Sequence, residues 1–450
     1  MKSTRKDRPC NVILITIDCL RADHLHCYGY SRDTTPFIDS IARKGITFRN
    51  GFANGPFTAS AFPAILTSTY ALDNGRDITL KNRTFVSEIL QKEGIRTAAI
   101  HSNPYLSSQA GYNRGFDYFE DFLNQPVLSR RSISLQKGLN LLQKVEMVTK
   151  RLNTKFVREP ASLIKNYFVP REEPFVPAHV ITEMGAKWIN NSPDPFFLWV
   201  HYMDLHEPYI ILNTNVDQMY SRHVSRLLQS ALLRVKQKHI QHIIDIYDDK
   251  LRYIDLQVER LCSFLKKAPD SVVIITSDHG QEFYEHGNFG HRAKYYDEIL
   301  HIPLIIHGKP VKMQSDDMRS QLDISPTILS CYGIAPPANY CGSSLFSGPI
   351  NDVVISESSH NEKGLFLVDS PPTCVSYAVR SKTFKYIQQY QEELYNVQED
   401  PGEKHNIITE YPEAAAELRK ILDEHKKNQG LAEKVRISES VERLRNLGKI

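Results

Sequence analysis

Two short runs of branched apolar residues, each broken off by an aspartate, constrain this chain more than any other feature. The first is Asn11-Val12-Ile13-Leu14-Ile15-Thr16-Ile17, ended by Asp18. The second is Val272-Val273-Ile274-Ile275, followed by Thr276-Ser277-Asp278-His279-Gly280. Runs of this length and composition read as strands buried on both faces, as in a parallel sheet covered by helices. In such sheets ligands collect beyond the carboxyl ends of the strands. If these two strands are neighbours, Asp18 and Asp278 point into one crevice. An aspartate beside an imidazole there suits a divalent cation; a helix-capping Asp and a His packed in a turn are the plainer alternative.

The intervening stretches fit the same α/β class. Helical spacing over 36–44 stops at Gly45, and a strand follows over 46–52. Gly55-Pro56 then turns the chain into a helix whose first turn holds Thr58 or Ser60. A helix amino terminus is a natural seat for an oxyanion, although a threonine there can also be a simple cap. Further helices are predicted over 84–93, 177–190 and 224–267, the last with a break, and a helix start over 323–329. Further strands are predicted over 96–100, 195–200 and 302–307. From 353 onward come short strands over 353–356, 374–380 and 384–388. A helix over 412–425 follows, with Pro412 at its first position. The predicted division is a large domain over 1–348, a small antiparallel α+β subdomain over 349–428 and a charged tail over 429–450.

Charge and cysteine usage exclude more than they assign. A net charge of +3 on 450 residues names no partner, and no nucleic-acid motif or CxxC pair is present. Seven cysteines without paired spacing read as reduced thiols. The basic start, Met1 to Arg8, has no apolar signal core behind it, and no run is long enough to span a bilayer. The expected location is therefore the cytoplasm. One segment departs from the average: residues 128–168 are strongly basic, and Leu135, Leu139, Leu142, Val145, Val148 and Leu152 recur at helical spacing. A basic amphipathic helix can lie on an anionic membrane surface or an acidic partner. An insertion helix packed on its own domain, which also needs an apolar stripe, is the favoured reading.

The ordered motifs resemble the sulfatase family, within the alkaline phosphatase superfamily. They begin with Asp18-Cys19-Leu20-Arg21-Ala22-Asp23-His24, Cys27-Tyr28-Gly29-Tyr30 and Thr35-Pro36-Phe37-Ile38-Asp39. They continue with Gly115-Phe116-Asp117-Tyr118-Phe119, Thr276-Ser277-Asp278-His279-Gly280 and Tyr296-Asp297-Glu298 before Ile302-Pro303-Leu304. They close with Glu393-Leu394-Tyr395-Asn396 and Asp400-Pro401. The resemblance implies an alkaline phosphatase/sulfatase-like sandwich with a central, mostly parallel sheet and a small C-terminal antiparallel subdomain. It places Asp18, Asp278 and His279 at metal-ligand positions. Alignment on Ala64-Ile65-Leu66-Thr67-Ser68 puts Thr58 at the nucleophile position, with its hydroxyl completing the ligand set. Oxygen-dominated ligation suits one divalent ion, Ca2+, Mg2+ or Mn2+. His206, in His206-Glu207-Pro208-Tyr209, matches a histidine on the anion or leaving group, and His291 or Arg292 falls where the family has a basic residue.

The departures decide the expected chemistry. Sulfatases carry a Cys or Ser converted to formylglycine, with Pro two residues on and Arg four on; here those positions are Thr58, Ser60 and Phe62. Threonine cannot become that aldehyde, and a plain Thr–sulfate ester lacks the aldehyde hydrate's elimination route. A Thr–phosphate can instead be attacked at phosphorus. Thr58 resembles the nucleophiles of phosphoethanolamine and phosphoglycerol transferases. The second Asp of the family's opening pair is Cys19. His101-Ser102-Asn103 replaces a Lys-x-His element, leaving Asn103 as a neutral donor. His201 and His286 read as structural or supporting residues. The expected function is a metal-dependent hydrolase or transferase that cleaves phosphoesters or phosphodiesters through Thr58. Its substrate would be a small molecule or a glycan or headgroup ester. The alternatives are a sulfuric ester hydrolase without formylglycine and a silent family member that binds an anionic glycan or headgroup.

Overall fold

The computed structural model describes residues 11–76, 78–123, 175–192, 195–207, 237–267, 271–308, 313–348, 351–366 and 372–429. The expected basic insertion over 128–168, the tail from 430 and the first part of the 224–267 helical region lie outside the described residues.

The apolar runs form the strands that their composition dictates. In chain order they are β1 (Asn11–Ile17), β2 (Ile46–Phe52), β3 (Arg96–Ile100), β4 (Tyr118–Glu120), β5 (Phe196–Tyr202) and β6 (Ser271–Thr276). The hairpin of β7 (Glu282–Phe283) and β8 (Phe289–Gly290) follows, then β9 (Leu304–His307) and β10 (Met313–Ser320). One eight-stranded sheet runs in the order β10-β2-β9-β6-β1-β5-β3-β4. β9 is antiparallel to its neighbours β2 and β6; β1 pairs in parallel with both β5 and β6.

Strand alternation splits the core into two layers. Ile13, Ile15 and Ile17 face helices Pro36–Ala42, Ala178–Asn191 and Gln237–Ser263. Val12 and Leu14 face helices Thr58–Thr67, Val86–Lys92 and Ile324–Cys331. Both faces of β1 are therefore dry, which is why its sequence is almost wholly apolar. The C-terminal sheet runs β11 (Val353–His360), β12 (Cys374–Ser381), β13 (Phe384–Gln388) and β14 (Glu392–Asn396), antiparallel throughout. Helix Pro412–Asn428 covers it through Ala415, Leu418 and Leu422. Among the described residues no helix is long and apolar enough to cross a membrane.

Two edge strands escaped the apolar pattern, and a third strand runs longer than it implied. β10, Met-Gln-Ser-Asp-Asp-Met-Arg-Ser, is an edge strand held by β2 alone, and its register shifts between Ser315 and Met318. An edge strand needs no continuous apolar face, so composition could not announce it. β4 is three residues at the opposite edge. β11 runs past Ser356 to His360 because its polar side chains are satisfied inside. Ser358 bonds Tyr295, and His360 bonds Ser376. Glu357 accepts from the Leu72 amide, His425 and Gln429.

Sheet register fixes the site. Asn11 to Thr16 pair in step with Ser271 to Thr276, so Asp18 and Asp278 leave the sheet at the same level. Thr16 also faces His201 across β5, and Ile100 pairs with Val200, which puts Asn103 just beyond the same edge. Ser277 ties the two strand ends together: its Oγ donates to the Ile17 carbonyl at 2.7 Å and accepts from the Leu20 amide at 3.0 Å.

Gly280 closes the turn. Its amide donates to the Ile299 carbonyl at 2.7 Å, and a Cβ there would lie 2.1 Å from the Glu298 carbonyl oxygen. That atom is backbone and cannot swing aside. Gly280→Ala is expected to destabilise the protein by about 1–3 kcal/mol, the usual range for forced overpacking, as a lower denaturation midpoint at unchanged slope.

Candidate active site

Thr58 is the first residue of helix Thr58–Thr67, preceded by Phe57 in extended conformation. The Ser60 hydroxyl bonds back to Phe57, so Ser60 caps the helix and leaves the Thr58 side chain for other work. Thr58 Oγ1 donates to Asp278 Oδ2 at 2.9 Å and lies 3.4 Å from Asp18 Oδ2. Asn103 Nδ2 donates to Asp18 Oδ2 at 3.2 Å and stands 3.5 Å from Thr58 Oγ1. Four sequence-predicted residues, Asp18, Thr58, Asn103 and Asp278, thus converge in one buried cluster.

The two carboxylates are fully buried and face each other. Burial, and then the charge of Asp18, pushes Asp278 up to about 7. Burial would raise Asp18 as well, but the His201 hydrogen bond and the neighbouring His206 and His279 hold it well below the carboxylate range. Imidazoles stand beside both: His201 Nε2 is 3.5 Å from Asp18 Oδ2, and His279 Nε2 is 3.5 Å from Asp278 Oδ2. Two buried carboxylates that oppose each other's ionisation call for a cation between them.

The imidazoles fit that cation. His279 Nδ1 donates to the Gly280 carbonyl at 2.9 Å, while its buried Nε2 has no hydrogen-bond partner. Burial depresses the His279 pKa, so the ring is neutral with a free lone pair. Asp18, His201 and Asp278 each offer a ligand atom within 4.8 Å of the other two. A second such group is Cys19, His279 and His291. The donor set therefore fits a divalent ion.

Two residues of this cluster escaped sequence reasoning. His201, read as structural or supporting, stands against Asp18: Thr16 Oγ1 holds its Nδ1 at 2.9 Å, and Trp199 Nε1 donates to the same hydroxyl, so the ring is aimed at that carboxylate. The pairing of Thr16 with His201 is the signal, and it exists only once β1 and β5 are neighbours. Cys19 appeared as the loss of a carboxylate, but its sulfur lies inside the cluster.

The remaining predicted residues divide. His291 is turned inward, its ring centroid 4.3 Å from that of His279 and 5.0 Å from that of His206. Burial, then the His279 and His206 charges, drives its pKa well down. His206 is half-buried, its Nδ1 2.5 Å from the Glu207 carbonyl, which leaves Nε2 for a ligand. Arg292 is exposed. His286 pairs with Glu298 at 2.5 Å and stacks on Tyr296, a structural role. His101, fully buried against Trp199 and Phe119, is held near a pKa of about 3 by burial and by His201, and is a neutral packing residue.

The chain has known relatives along its length. Residues 10–334 match the Sulfatase family, and residues 284–428 match the family described as N-sulphoglucosamine sulphohydrolase, C-terminal. Arylsulfatase K of Mus musculus is 25% identical over 450 residues, covering 91% of this chain and 78% of that protein. A Delta 4,5-hexuronate-2-O-sulfatase of Bacteroides thetaiotaomicron is 28% identical over 448 residues, covering 92% of this chain and 88% of that one. Among solved structures, a phosphonate monoester hydrolase of Agrobacterium radiobacter superimposes with a TM-score of 0.69 at 18% identity, over 93% of this chain and 96% of that chain. At that identity the likeness is one of fold.

Proposed function

We propose, from the premise that the chain belongs to the sulfatase family, that it is a metal-dependent hydrolase or transferase using Thr58 on phosphoesters, diesters above all. The class is that of a sulfatase-family ester hydrolase, given by the match over residues 10–334. The observation that carries the finer reading is the Thr58 hydroxyl, hydrogen-bonded to Asp278 and beside Asp18 at a helix amino terminus, where no formylglycine can form.

Asp18, Asp278 and His279 would hold the divalent ion beside Thr58. Three oxygens, from Asp18, Asp278 and Thr58, and one imidazole make an oxygen-dominated set that suits Ca2+, Mg2+ or Mn2+. When bound, it supplies Lewis-acid stabilisation of the Thr58 alkoxide and of the transferred group. The chain's own residues do the rest. The Thr58 proton leaves along its hydrogen bond to Asp278 Oδ2. Thr58 Oγ1 forms a bond to phosphorus as the bond to the leaving oxygen breaks. The positive end of the helix dipole and Asn103 Nδ2 face the developing charge. His206, half-buried at the rim, protonates the leaving oxygen, while His291, kept neutral by burial, orients it. Water or an acceptor alcohol then attacks phosphorus and gives its proton to His206, while the bond from phosphorus to Thr58 Oγ1 breaks and Asp278 returns the proton to that oxygen.

Charge counting favours a diester. The cluster presents imidazoles and an amide to the anion, and Arg292 is exposed, so a single negative charge is matched better than two. A bis-aryl phosphate, an aryl phosphate and an aryl sulfate sharing one leaving group test this. The diester is expected to give the highest kcat/KM. If it is the poorest of the three, the reading fails. Activity on the sulfate alone would instead favour a sulfuric ester hydrolase without formylglycine, a reading that the names of the curated relatives support.

A further inference from the structure

Cys19 is fully buried at the margin of the apolar core, but its sulfur is turned to a carboxylate and an imidazole. It holds a left-handed backbone, φ +61°, a strained conformation for a residue with a Cβ. Tyr247 secures that bend, donating to the Cys19 carbonyl at 2.8 Å while accepting from the Arg21 amide at 3.0 Å. The bend brings Sγ to 2.8 Å from Asp18 Oδ1 and 3.5 Å from His291 Nδ1. Asp18 therefore spans the centre, with Oδ1 toward the sulfur and Oδ2 toward Thr58, Asn103 and His201. One ligand atom from each of Cys19, His279 and His291 lies within 4.8 Å of the other two, and His279 Nε2 is buried without a partner.

We propose that Cys19 is a metal ligand. Its thiolate, with His279 and His291, forms a sulfur–nitrogen face beside the carboxylates that selects a thiophilic divalent transition ion of the Zn2+ type. This rests on the reading that the site holds a divalent ion, and it adds a ligand and a metal class. Thiolate and imidazole favour zinc and its neighbours, whereas Ca2+ and Mg2+ take oxygen donors. The expectation of Ca2+, Mg2+ or Mn2+ counted oxygens and one imidazole; the folded chain adds a sulfur and a second imidazole. Binding exchanges the thiol proton for the metal–sulfur bond and releases that proton to solvent, with no change in oxidation state.

The test uses full-length protein stripped with a chelator and reloaded with one metal. Zn2+-loaded wild type should show one sulfur at about 2.3 Å in its X-ray absorption fine structure. Co2+-loaded wild type should show a near-ultraviolet sulfur-to-metal charge-transfer band. Cys19→Ser should lose the band while keeping its circular dichroism, and its Zn2+ affinity should fall by at least about tenfold. Cys19→Asp should shift preference from Zn2+ toward Ca2+. A zinc shell fitted by oxygen and nitrogen alone at about 2.0–2.2 Å overturns the proposal without needing any variant to fold. The catalytic reading fails separately: Thr58→Ala should keep the band whether or not Thr58 is the nucleophile.

Discussion

Asp278→Ala is expected to abolish metal uptake and, with it, turnover. Asp278 ties the hydroxyl to the imidazole: it accepts from the Thr58 hydroxyl and the His279 amide, and His279 Nε2 stands 3.5 Å away. Removing it deletes a ligand and unfastens the hydroxyl together. The loss of affinity should exceed the roughly 10–100-fold that removal of an outer partner of a metal ligand costs. Calorimetric titration with Zn2+ and Mn2+ reads it directly. Retained stoichiometric binding would sink the assignment of Asp278 as a ligand.

The same residue predicts a pH effect in metal-free protein. Burial and the Asp18 charge raise Asp278 from 3.8 to about 7, so the native state holds a proton that the unfolded chain has already released. The contribution is full below about pH 3.8 and disappears as pH rises through about 7. Glu403 and Asp255 are raised into the same range by burial, so a bare stability curve would mix the three. The informative quantity is the difference between wild type and Asp278→Asn, which should fall steadily from about pH 4 to about pH 7. A bound cation should suppress that fall, because it stabilises both ionised carboxylates.

How far the sequence reaches is shown by particular residues. β1 and β6 were legible because both faces of each are buried, and the chain must then be apolar throughout. That alone put Asp18 and Asp278 at strand ends, and the register of one pair of strands completed the crevice. The turn and helix start left Thr58 or Ser60, and only the alignment to the family chose Thr58; the folded chain shows Ser60, not Thr58, bonding back to Phe57. Cys19 and His201 were not legible as members of the cluster. Each depends on a bond with no local signature: a left-handed bend in one case, a cross-strand neighbour in the other. His291 and Arg292 are adjacent, and only the turn of the backbone points one ring toward His279 and His206 while exposing the other side chain. β10 escaped because an edge strand can be polar.

Thr58→Ala is expected to remove nearly all activity, and Thr58→Ser to keep a substantial part. The argument is atomic. Alanine deletes the oxygen that bonds to phosphorus and leaves the carboxylates in place, so binding survives and covalent chemistry does not. Loss of a nucleophile costs on the order of 10⁴-fold or more in kcat. Serine keeps the oxygen and its hydrogen bond to Asp278. It gives up one buried methyl group, worth about 0.8 kcal/mol of positioning, or roughly fourfold in rate. The pair thus separates a chemical role from a packing one, because a threonine that only packed its methyl group would make the two variants nearly alike; the cap already belongs to Ser60. Mass spectrometry adds a second readout. Wild type quenched during turnover of a bis-aryl phosphate should carry an aryl phosphoryl group, one aryloxide having left, on the peptide containing Thr58, and the residue at rest should be plain threonine. An aldehyde at that position, or an Ala variant as active as wild type, would overturn both the nucleophile and the preference for phosphorus.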